Sequence, residues 1–325
     1  MNQASQRICV IGGAGYVGSR LVPRLIEEGH RLTVVDPCWF GNHLDPSVEV
    51  IQKDALGLEE SFFNGFDAVF FLAGLASDPM AEFNPALNFV SNLGAPAYVA
   101  YAARKAGVSR FIFADSCSVY GSTGGKECTE ADTLHLPPYP YGVSKAQANL
   151  GLMCLVQYGF SVIALRKGTV SGWSPRMRFD LLINAMYRSA WTDKKIVVNN
   201  ASIWRPLLTL DDAVEGYLKA LAAPGGVSGT FNLVSQNITV LEVGREVQRH
   251  FKETHHIDVP VEVKNIPDVR DYKASADRAK QVLGFAPKGS VASVLRGLDE
   301  HFGPSFGNYN DDIFYNIRVF KKLLA

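Results

Sequence analysis

The chain has 325 residues, and its 32 basic and 32 acidic side chains give a formal net charge of zero at neutral pH. This length is sufficient for a full hydrophobic core and a second, smaller lobe. The balanced charge favours neither nucleic acid nor an anionic membrane as a partner. The first residues lead directly into a strand pattern without the apolar stretch of a signal peptide, so we expect a cytoplasmic protein.

The five cysteines are scattered along the sequence and form no Cys-x-x-Cys pair. A disulfide framework and a structural zinc site are therefore not expected, and we predict no metal site. Cys9 and Cys154 lie in apolar patterns, which predicts that both are buried in the core.

The first predicted strand, Arg7 to Ile11, is followed by a glycine-rich turn and then by a helical pattern. Gly12, Gly15 and Gly18 are spaced three residues apart in this turn. The first glycine permits a tight turn, the second lets backbone amides approach a diphosphate, and the third lets the helix pack closely on the strand. A strand, glycine turn and helix in this order predict a dinucleotide site, which also includes Tyr16 and Val17.

The second predicted strand ends in Asp36, a carboxylate 18 residues after Gly18. An acid at this place can accept hydrogen bonds from the adenosine ribose and repel a 2′-phosphate, and no arginine follows in residues 37–40. This pattern favours NAD over NADP. Asp54, beside Ala55, is placed either to cap the next helix or to contact adenine.

Strand and helix patterns alternate over roughly the first half of the chain. The remaining strands of this part are predicted over residues 48–51, 68–73, 111–114 and 160–166. The alternation predicts an α/β fold with a doubly wound parallel sheet. Because the pattern changes after Gly168, we divide the chain into residues 1–170, a cofactor-binding domain, and 171–325, mainly a substrate-binding lobe. This division allows some segments of residues 171–325 to belong to the cofactor-binding domain.

Two long helices are predicted in the first domain, over residues 84–106 and 141–158. Gly94 and Pro96 predict a kink or break in the first helix. The second helix begins with Tyr141 and Lys145, which one helical turn would bring to the same face, and Gly159 is placed to cap its end. A nearby cation favours a tyrosinate and would lower the pKa of the phenol, so the pair predicts a group that handles protons.

Several arginines fall in predicted loops of the second part of the chain. Their planar, forked side chains are suited to binding diphosphate. These arginines are Arg176, Arg178, Arg205 and Arg270.

Taken together, the motifs resemble the extended short-chain dehydrogenase/reductases that modify nucleotide sugars, over nearly the whole chain. The segment 174–180 and the tail 308–323 are similar to a bacterial subgroup that includes GDP-heptose 4-dehydrogenase-like enzymes, and the chain also resembles UDP-galactose 4-epimerase-like enzymes. The features that carry the resemblance are the glycine turn, Asp36, Asp54, Phe71-Leu72-Ala73-Gly74, Asn92, Ser116 before Tyr120-Gly121, Tyr141, Lys145, Arg166, Arg205 and Arg270.

The resemblance implies a Rossmann-type domain that binds NAD and a smaller C-terminal lobe that binds a nucleotide-diphosphate sugar. Tyr141 would be the general base, and Lys145 would hold the nicotinamide ribose and lower the pKa of Tyr141. Ser116 would hydrogen-bond the reacting sugar oxygen, most often at C4. Leu72, Ala73, Gly74 and Asn92 would contribute to the cofactor site. Arg205 and Arg270 would bind the diphosphate, with Arg176 and Arg178 near the nucleotide.

Three features depart from the patterns of this family. The 4,6-dehydratases carry an Asp-Glu pair directly after the hydroxyl residue, where this chain has Cys117 and Ser118. Ordinary 4,6-elimination therefore lacks its acid and base, and Asp115 should point away because side chains alternate along a strand. Thr169 replaces an asparagine of many epimerases, and Lys167 replaces an aromatic or apolar residue. Thr169 and Ser118 are predicted to contact the substrate.

Our leading prediction is a sugar-nucleotide epimerase or 4-dehydrogenase. The alternatives are an unusual dehydratase that uses Cys117 as its acid, a reductase of small carbonyl compounds, and a regulator that senses NAD without turnover. The resemblance also implies a homodimer formed through the helices near residues 90–105 and 141–158.

Overall fold

The computed structural model describes residues 5–132, 139–156, 160–266 and 270–324. The predicted cap at Gly159 lies outside these ranges. The strands are β1 (Arg7–Ile11), β2 (Arg31–Val35), β3 (Val50–Ile51), β4 (Ala68–Phe71), β5 (Arg110–Ser116), β6 (Ser122–Cys128), β7 (Ser161–Lys167), β8 (Thr169–Ser171), β9 (Ile196–Asn199), β10 (Trp204–Thr209), β11 (Gly229–Leu233), β12 (Gln236–Thr239), β13 (Val261–Lys264) and β14 (Asp271–Ala274). The α-helices are α1 (Gly18–Glu27), α2 (Asp78–Phe83), α3 (Pro85–Phe89), α4 (Ala95–Lys105), α5 (Pro140–Val156), α6 (Leu182–Thr192), α7 (Leu210–Ala222), α8 (Val240–His255), α9 (Asp277–Leu283), α10 (Val291–Asp299) and α11 (Asn316–Leu323).

The main sheet has seven strands in the order β11-β7-β5-β4-β1-β2-β3, and all of its pairings are parallel. Successive strands run outward from β1 in one direction and then from β4 in the other, which confirms the predicted doubly wound fold. The strand order reverses between β1 and β4, and open α/β sheets bind ligands at such a point. The seventh strand, β11, comes from the second half of the chain.

Each face of this sheet has its own hydrophobic core because side chains alternate along the strands. Ile8 and Val10 of β1 pack with residues of α1 and α7 on one face. Cys9 and Ile11 pack with residues of α4 and α5 on the other. Both faces are therefore covered by helices, as expected for a parallel sheet.

The second lobe is built around a three-stranded sheet, β12-β10-β8, and the pair β13-β9. The helices α6, α8 and α10 pack against one another to form its core, with Tyr187 and Phe251 among the buried residues. A further pair, β14-β6, joins a strand of each half of the chain. This pairing holds the second lobe against the carboxyl edge of the main sheet.

Two local expectations had different outcomes. The irregularity predicted at Gly94 and Pro96 is present as a π-helical turn over Val90–Gly94 between α3 and α4. Cys9 is buried as predicted, whereas Cys154 is exposed, so that prediction was wrong. Cys154 lies on an outward face of α5 together with Leu150, and the apolar pattern there does not face the core of this chain.

A cluster around Asp299 ties three helices of the second lobe together. Asp299 Oδ1 is 2.9 Å from the Tyr187 hydroxyl and 2.9 Å from His255 Nε2, and its Oδ2 is 2.7 Å from His250 Nε2. Burial raises the pKa of Asp299, but hydrogen bonds to His250 and Tyr187 outweigh it and hold this pKa below its ordinary value.

We expect Asp299→Asn to lower the free energy of unfolding by about 2 kcal/mol at pH 7, because it removes a charged acceptor from three donors. Since the folded pKa is lowered, this stabilisation is present above an unfolded pKa of about 3.9 and is lost as the pH falls through the folded value. Urea unfolding should show a difference in stability between wild type and Asp299→Asn of about 2 kcal/mol at pH 7 and a smaller difference at about pH 3, below the unfolded pKa. The control is Asp211→Asn, whose side chain is 82% exposed. A similar loss in both variants would contradict the assignment.

Candidate active site

The glycine turn has the shape that a bound diphosphate requires. Gly12 has a φ of +81°, and a Cβ atom at this position would lie 2.5 Å from the backbone nitrogen of Ala73. A Cβ atom at Gly18 would overlap the carbonyl oxygen of Gly13. A side chain at Gly12 would therefore push β1 away from β4, and a side chain at Gly18 would push the start of α1 away from the glycine turn. The backbone amides at the start of α1 are left accessible to an anion.

Asp36 is fixed at the end of β2 by the backbone of two neighbouring segments. Its Oδ2 accepts a hydrogen bond of 3.1 Å from the amide of Ala14, and its Oδ1 accepts one of 2.8 Å from the amide of Cys38. Burial raises the pKa of this carboxyl, while these two amides lower it. The carboxylate thus stands beside the glycine turn, where the predicted contact with a ribose requires it.

The predicted cofactor residues after β4 form a loop that Asn92 supports from behind. Asn92 Nδ2 donates to the carbonyl of Leu75 at 3.0 Å and to Asn88 Oδ1 at 2.7 Å. A Cβ atom on Gly74, whose φ is +144°, would overlap Asn92 Oδ1. Asn92 is fully buried and does not reach the cavity wall, so the structure gives it a role in positioning this loop.

Ser116 and Tyr141 form the centre of the site. Ser116 is the last residue of β5 and Tyr141 is in the first turn of α5, and both line the cavity. Burial raises the pKa of Tyr141, and the neighbouring Ser116 hydroxyl lowers it. The Ser116 hydroxyl is also 3.1 Å from that of Ser118. Two hydroxyls therefore converge on one point of the cavity, as oxidation of an alcohol requires.

Lys145 lies behind Tyr141 rather than at the cavity surface. Its Nζ donates a 2.9 Å hydrogen bond to the carbonyl of Ala114 and is 4.7 Å from the centroid of the Phe113 ring. Burial lowers the pKa of Lys145 to about 8. Burial is the largest influence on the Tyr141 phenol and raises its pKa, so a lowering of this pKa by Lys145 stays a prediction.

Cys117 is in the wrong place for an acid catalyst. It is fully buried, its thiol donates to the carbonyl of Arg166 at 3.3 Å, and it does not line the cavity. Burial raises the pKa of its thiol well above the ordinary value. Asp115 also points away, as predicted from strand alternation, and pairs with Arg166 Nε at 3.1 Å. Neither residue can serve as the acid of an elimination.

The second lobe contributes cations to the opposite wall. Arg205 on β10 donates to the carbonyls of Trp204 and Arg270. Arg270 also pairs with Asp78 at 2.5 Å, and this ion pair connects the residue directly before β14 with α2 of the first domain. The sequence offered no signal for Asp78, because its partner lies 192 residues away in the chain.

Arg176 and Arg178 lie at different points of the cavity although only one residue separates them. Arg176 stacks on Phe40 at 3.8 Å and donates to Asn316 Oδ1 at 2.6 Å, and Asp36 contributes to its pKa. It is therefore on the Asp36 side. Arg178 forms a forked ion pair with Asp180 and is close enough to Tyr141 to lower its pKa.

Asn184 is a further residue that the sequence did not reveal. Its Nδ2 is 3.1 Å from the Tyr16 hydroxyl and 2.9 Å from the carbonyl of Arg178. The Tyr16 hydroxyl in turn donates to the carbonyl of Gly172 at 2.6 Å. The glycine turn is thus tied to the loop that carries the two arginines.

These walls enclose one cavity of about 990 Å³ that runs from Asp36 to Arg270. Lys145 and Asn92 stand behind its walls. The predicted residues that line it are Gly12, Gly15, Tyr16, Val17, Gly18, Asp36, Asp54, Ala55, Leu72, Ala73, Gly74, Ser116, Ser118, Tyr141, Thr169, Arg176, Arg178, Arg205 and Arg270. Asp54 in addition caps the short helical turn Ala55–Gly57, since its Oδ1 accepts from the amide of Leu56 at 2.9 Å.

Comparison with known protein families agrees with the dinucleotide site that the geometry indicates. The model of the NAD dependent epimerase/dehydratase family matches residues 8–233, which span the whole main sheet. The chain belongs to the NAD dependent epimerase/dehydratase family. NAD is therefore its cofactor, and the close approach of Gly12 to Ala73 leaves the cradle that such a dinucleotide needs.

Two related proteins are similar to most of this chain. UDP-glucuronic acid decarboxylase 2 of Arabidopsis thaliana is 26% identical over 305 residues, which are 89% of this chain and 66% of that protein. This chain thus spans slightly less than two thirds of that relative. The uncharacterized UDP-glucose epimerase YtcB of Bacillus subtilis is 26% identical over 319 residues, 89% of this chain and 95% of YtcB.

Solved structures of the epimerase/dehydratase type share the fold. MoeE5 in complex with UDP-glucuronic acid and NAD superposes with a TM-score of 0.77 at 25% identity, over 90% of this chain and 97% of MoeE5. The UDP-glucose 4-epimerase of Thermotoga maritima, solved with UDP-glucose, gives 0.78 at 23% identity, over 98% and 100% of the two chains. Among the helices of the described ranges, none is both long and apolar enough to cross a lipid bilayer.

Proposed function

We propose that the protein oxidises a nucleotide-diphosphate sugar at C4, as an epimerase or a 4-dehydrogenase. The observation that carries this proposal is the convergence of the Ser116 and Tyr141 hydroxyls in the cavity that begins at the glycine turn. When bound, NAD supplies the acceptor for the hydride. The protein supplies the groups that bind the sugar, orient it and move its proton.

Ser116 and Tyr141 act on the same sugar hydroxyl in this proposal. Ser116 orients the oxygen through a hydrogen bond, and the Tyr141 oxygen removes its proton as the carbonyl forms. Lys145 is a positioning residue here, because it holds the carbonyl of Ala114 one residue before Asp115 and supports the end of β5. The same two hydroxyls can return the proton if the hydride is delivered to the opposite face of the ketone.

The diphosphate is proposed to bind on the wall formed by Arg205 and Arg270. Both arginines line the same cavity as Asp36. In this proposal the cofactor lies beside Asp36 and the diphosphate of the sugar beside the two arginines. Arginine forks match phosphate oxygens in shape and charge. The small-carbonyl reductase is disfavoured by this cationic wall, and the NAD sensor is disfavoured by the complete Ser116 and Tyr141 pair.

The test is a panel of UDP-, GDP-, dTDP- and CDP-sugars mixed with the purified protein and NAD. Binding is measured by calorimetry, NADH by its fluorescence, and the sugar products by NMR. We expect one base to bind and its sugar to be inverted or oxidised at C4. Binding of NAD with no change in any sugar would instead favour the sensor.

We further propose that the protein is a homodimer through α4 and α5. Tyr101 on α4 is 48% exposed and Leu150 on α5 is 66% exposed, and the two helices pack side by side. A second copy of the chain would bury this apolar face together with Cys154. A sedimentation mass near that of one chain, 35.5 kDa, would contradict this proposal.

A further inference from the structure

Lys167 places a positive charge beside the reacting hydroxyls. It is the last residue of β7, directly opposite Ser116 in the pairing of β5 with β7, and both residues line the cavity. Gly168 and Thr169 continue the same wall. The side chains of Lys167 and Ser116 therefore border the same part of the cavity.

Within the described part of the chain, the ammonium group of Lys167 has no acidic partner. Its Nζ forms no hydrogen bond and no ion pair within residues 5–132, 139–156, 160–266 and 270–324, and it lies 5.7 Å from the centroid of the Tyr217 ring. The nearby carboxylates are already engaged. Asp115 is paired with Arg166 and accepts from Asn149 at 2.6 Å, and Asp180 is paired with Arg178.

The charges that face Lys167 are mainly of its own sign. Burial, together with the neighbouring Lys145 and Arg178, lowers the pKa of Lys167 to about 7 against the opposing influence of Asp115. Arg178 uses Nε and Nη2 for Asp180, at 2.8 and 3.1 Å, and its Nη1 has no hydrogen-bond partner in the part of the chain that is described. Two cations therefore face one region of the cavity, and an anion bound between them would relieve their repulsion.

We propose that Lys167, together with Arg178, binds a carboxylate on the sugar ring, so that the substrate class is the nucleotide-diphosphate uronic acids. The inference rests on the proposed oxidation at C4. A carboxylate at C6 is attached to C5, the carbon next to C4, and so lies within reach of a group beside Ser116. The diphosphate has cations of its own, because Arg205 and Arg270 also line the cavity.

The experiment compares sugar pairs that differ only in CH₂OH or COO⁻ at C6, such as UDP-glucose and UDP-glucuronic acid, with the corresponding GDP, dTDP and CDP pairs. Calorimetry with the NAD-bound protein gives a Kd for each member of a pair. Because both members carry the same base, the contribution of the base to the affinity cancels in the ratio of the two Kd values. We expect wild type to bind the acid at least about 10-fold more tightly, since a charge-assisted hydrogen bond is worth about a factor of 10 to 100.

The main variant is Lys167→Met, which keeps the length of the side chain but removes its charge. It should weaken binding of the acid about 10- to 100-fold and change binding of the neutral sugar less than about 3-fold. Lys167→Arg should keep the preference, and Lys252→Met, an exposed lysine of α8, should resemble wild type. Wild type should also take up part of a proton when the acid binds at pH 7, and Lys167→Met should not.

The possible outcomes separate this inference from the proposed function. If the protein oxidises or inverts the neutral sugar and binds it as tightly as the acid or more tightly, the carboxylate site is contradicted. The proposed reaction at C4 is not affected by that result. If neither member of any pair binds or reacts, both fail. If Lys167→Met does not fold, the preference of wild type, its proton uptake and the behaviour of Lys167→Arg still decide the question.

Discussion

Tyr141→Phe is expected to lower kcat about 10³-fold and to change the Kd for the nucleotide sugar by less than about 3-fold. General acid-base catalysis typically contributes a factor of 10² to 10⁴. The phenyl ring keeps the packing of α5, and only the hydroxyl beside Ser116 is lost. Stopped-flow measurement of NADH formation gives the rate, and calorimetry gives the affinity.

The pH dependence of the same rate provides an independent check. Because burial raises the pKa of Tyr141, the phenol is protonated at neutral pH, and the rate of sugar oxidation should increase with pH. Tyr141→Phe should lack this increase. The control is Tyr101→Phe, an exposed tyrosine of α4. Equal rates for wild type and Tyr141→Phe would remove Tyr141 from the mechanism.

Gly12→Ala is expected to weaken NAD binding more than about 100-fold and to lower the free energy of unfolding by about 3 kcal/mol. A residue other than glycine costs about 1–2 kcal/mol at a φ of this kind. In addition, the new Cβ atom would lie 2.5 Å from the backbone nitrogen of Ala73, so β1 and β4 must separate at the cofactor site.

Gly29→Ala is the matched control for this variant. Gly29 has a φ of +86°, close to that of Gly12, but a Cβ atom there meets nothing within 4 Å. Gly29→Ala should lower the free energy of unfolding by about 1 kcal/mol, which is the cost of the backbone conformation alone, and should leave the affinity for NAD unchanged. Urea unfolding and a fluorescence titration with NAD measure both quantities. Equal effects of the two substitutions would show that the contact with Ala73 has no role.

The parts of the fold and of the site that could be predicted from the sequence are those in which a local residue pattern falls at the end of a predicted strand or at the start of a predicted helix. The glycine turn follows a buried strand, and Asp36 ends the next, so the dinucleotide site needed only the order of elements. Tyr141 was predicted from its spacing to Lys145 and Ser116 from the family resemblance, and in the fold they lie at the start of α5 and the end of β5. Parallel pairing brings those ends together whatever the connecting segments do.

The remaining features depend on where long side chains point and on partners far away in the chain. Lys145 was expected at the surface of the site, but the close approach of α5 to β5 turns its ammonium to Ala114. Arg176 is drawn to the Asp36 side by Phe40 and by Asn316 of α11. Cys154 was expected in the core because an apolar pattern does not show which surface it faces. The Asp78 and Arg270 pair joins two lobes and left no local signal.

The central claim is that this cavity removes a hydride from C4 of a nucleotide sugar while Tyr141 handles the proton. The most direct measurement uses the sugar that binds in the panel, deuterated at C4, with mass spectrometry of the cofactor and the sugar. A dehydrogenase should give deuterated NADH, and an epimerase should keep the deuterium at the inverted C4 without exchange with solvent. Loss of the label to water, or a product formed with C4 untouched, would contradict the claim.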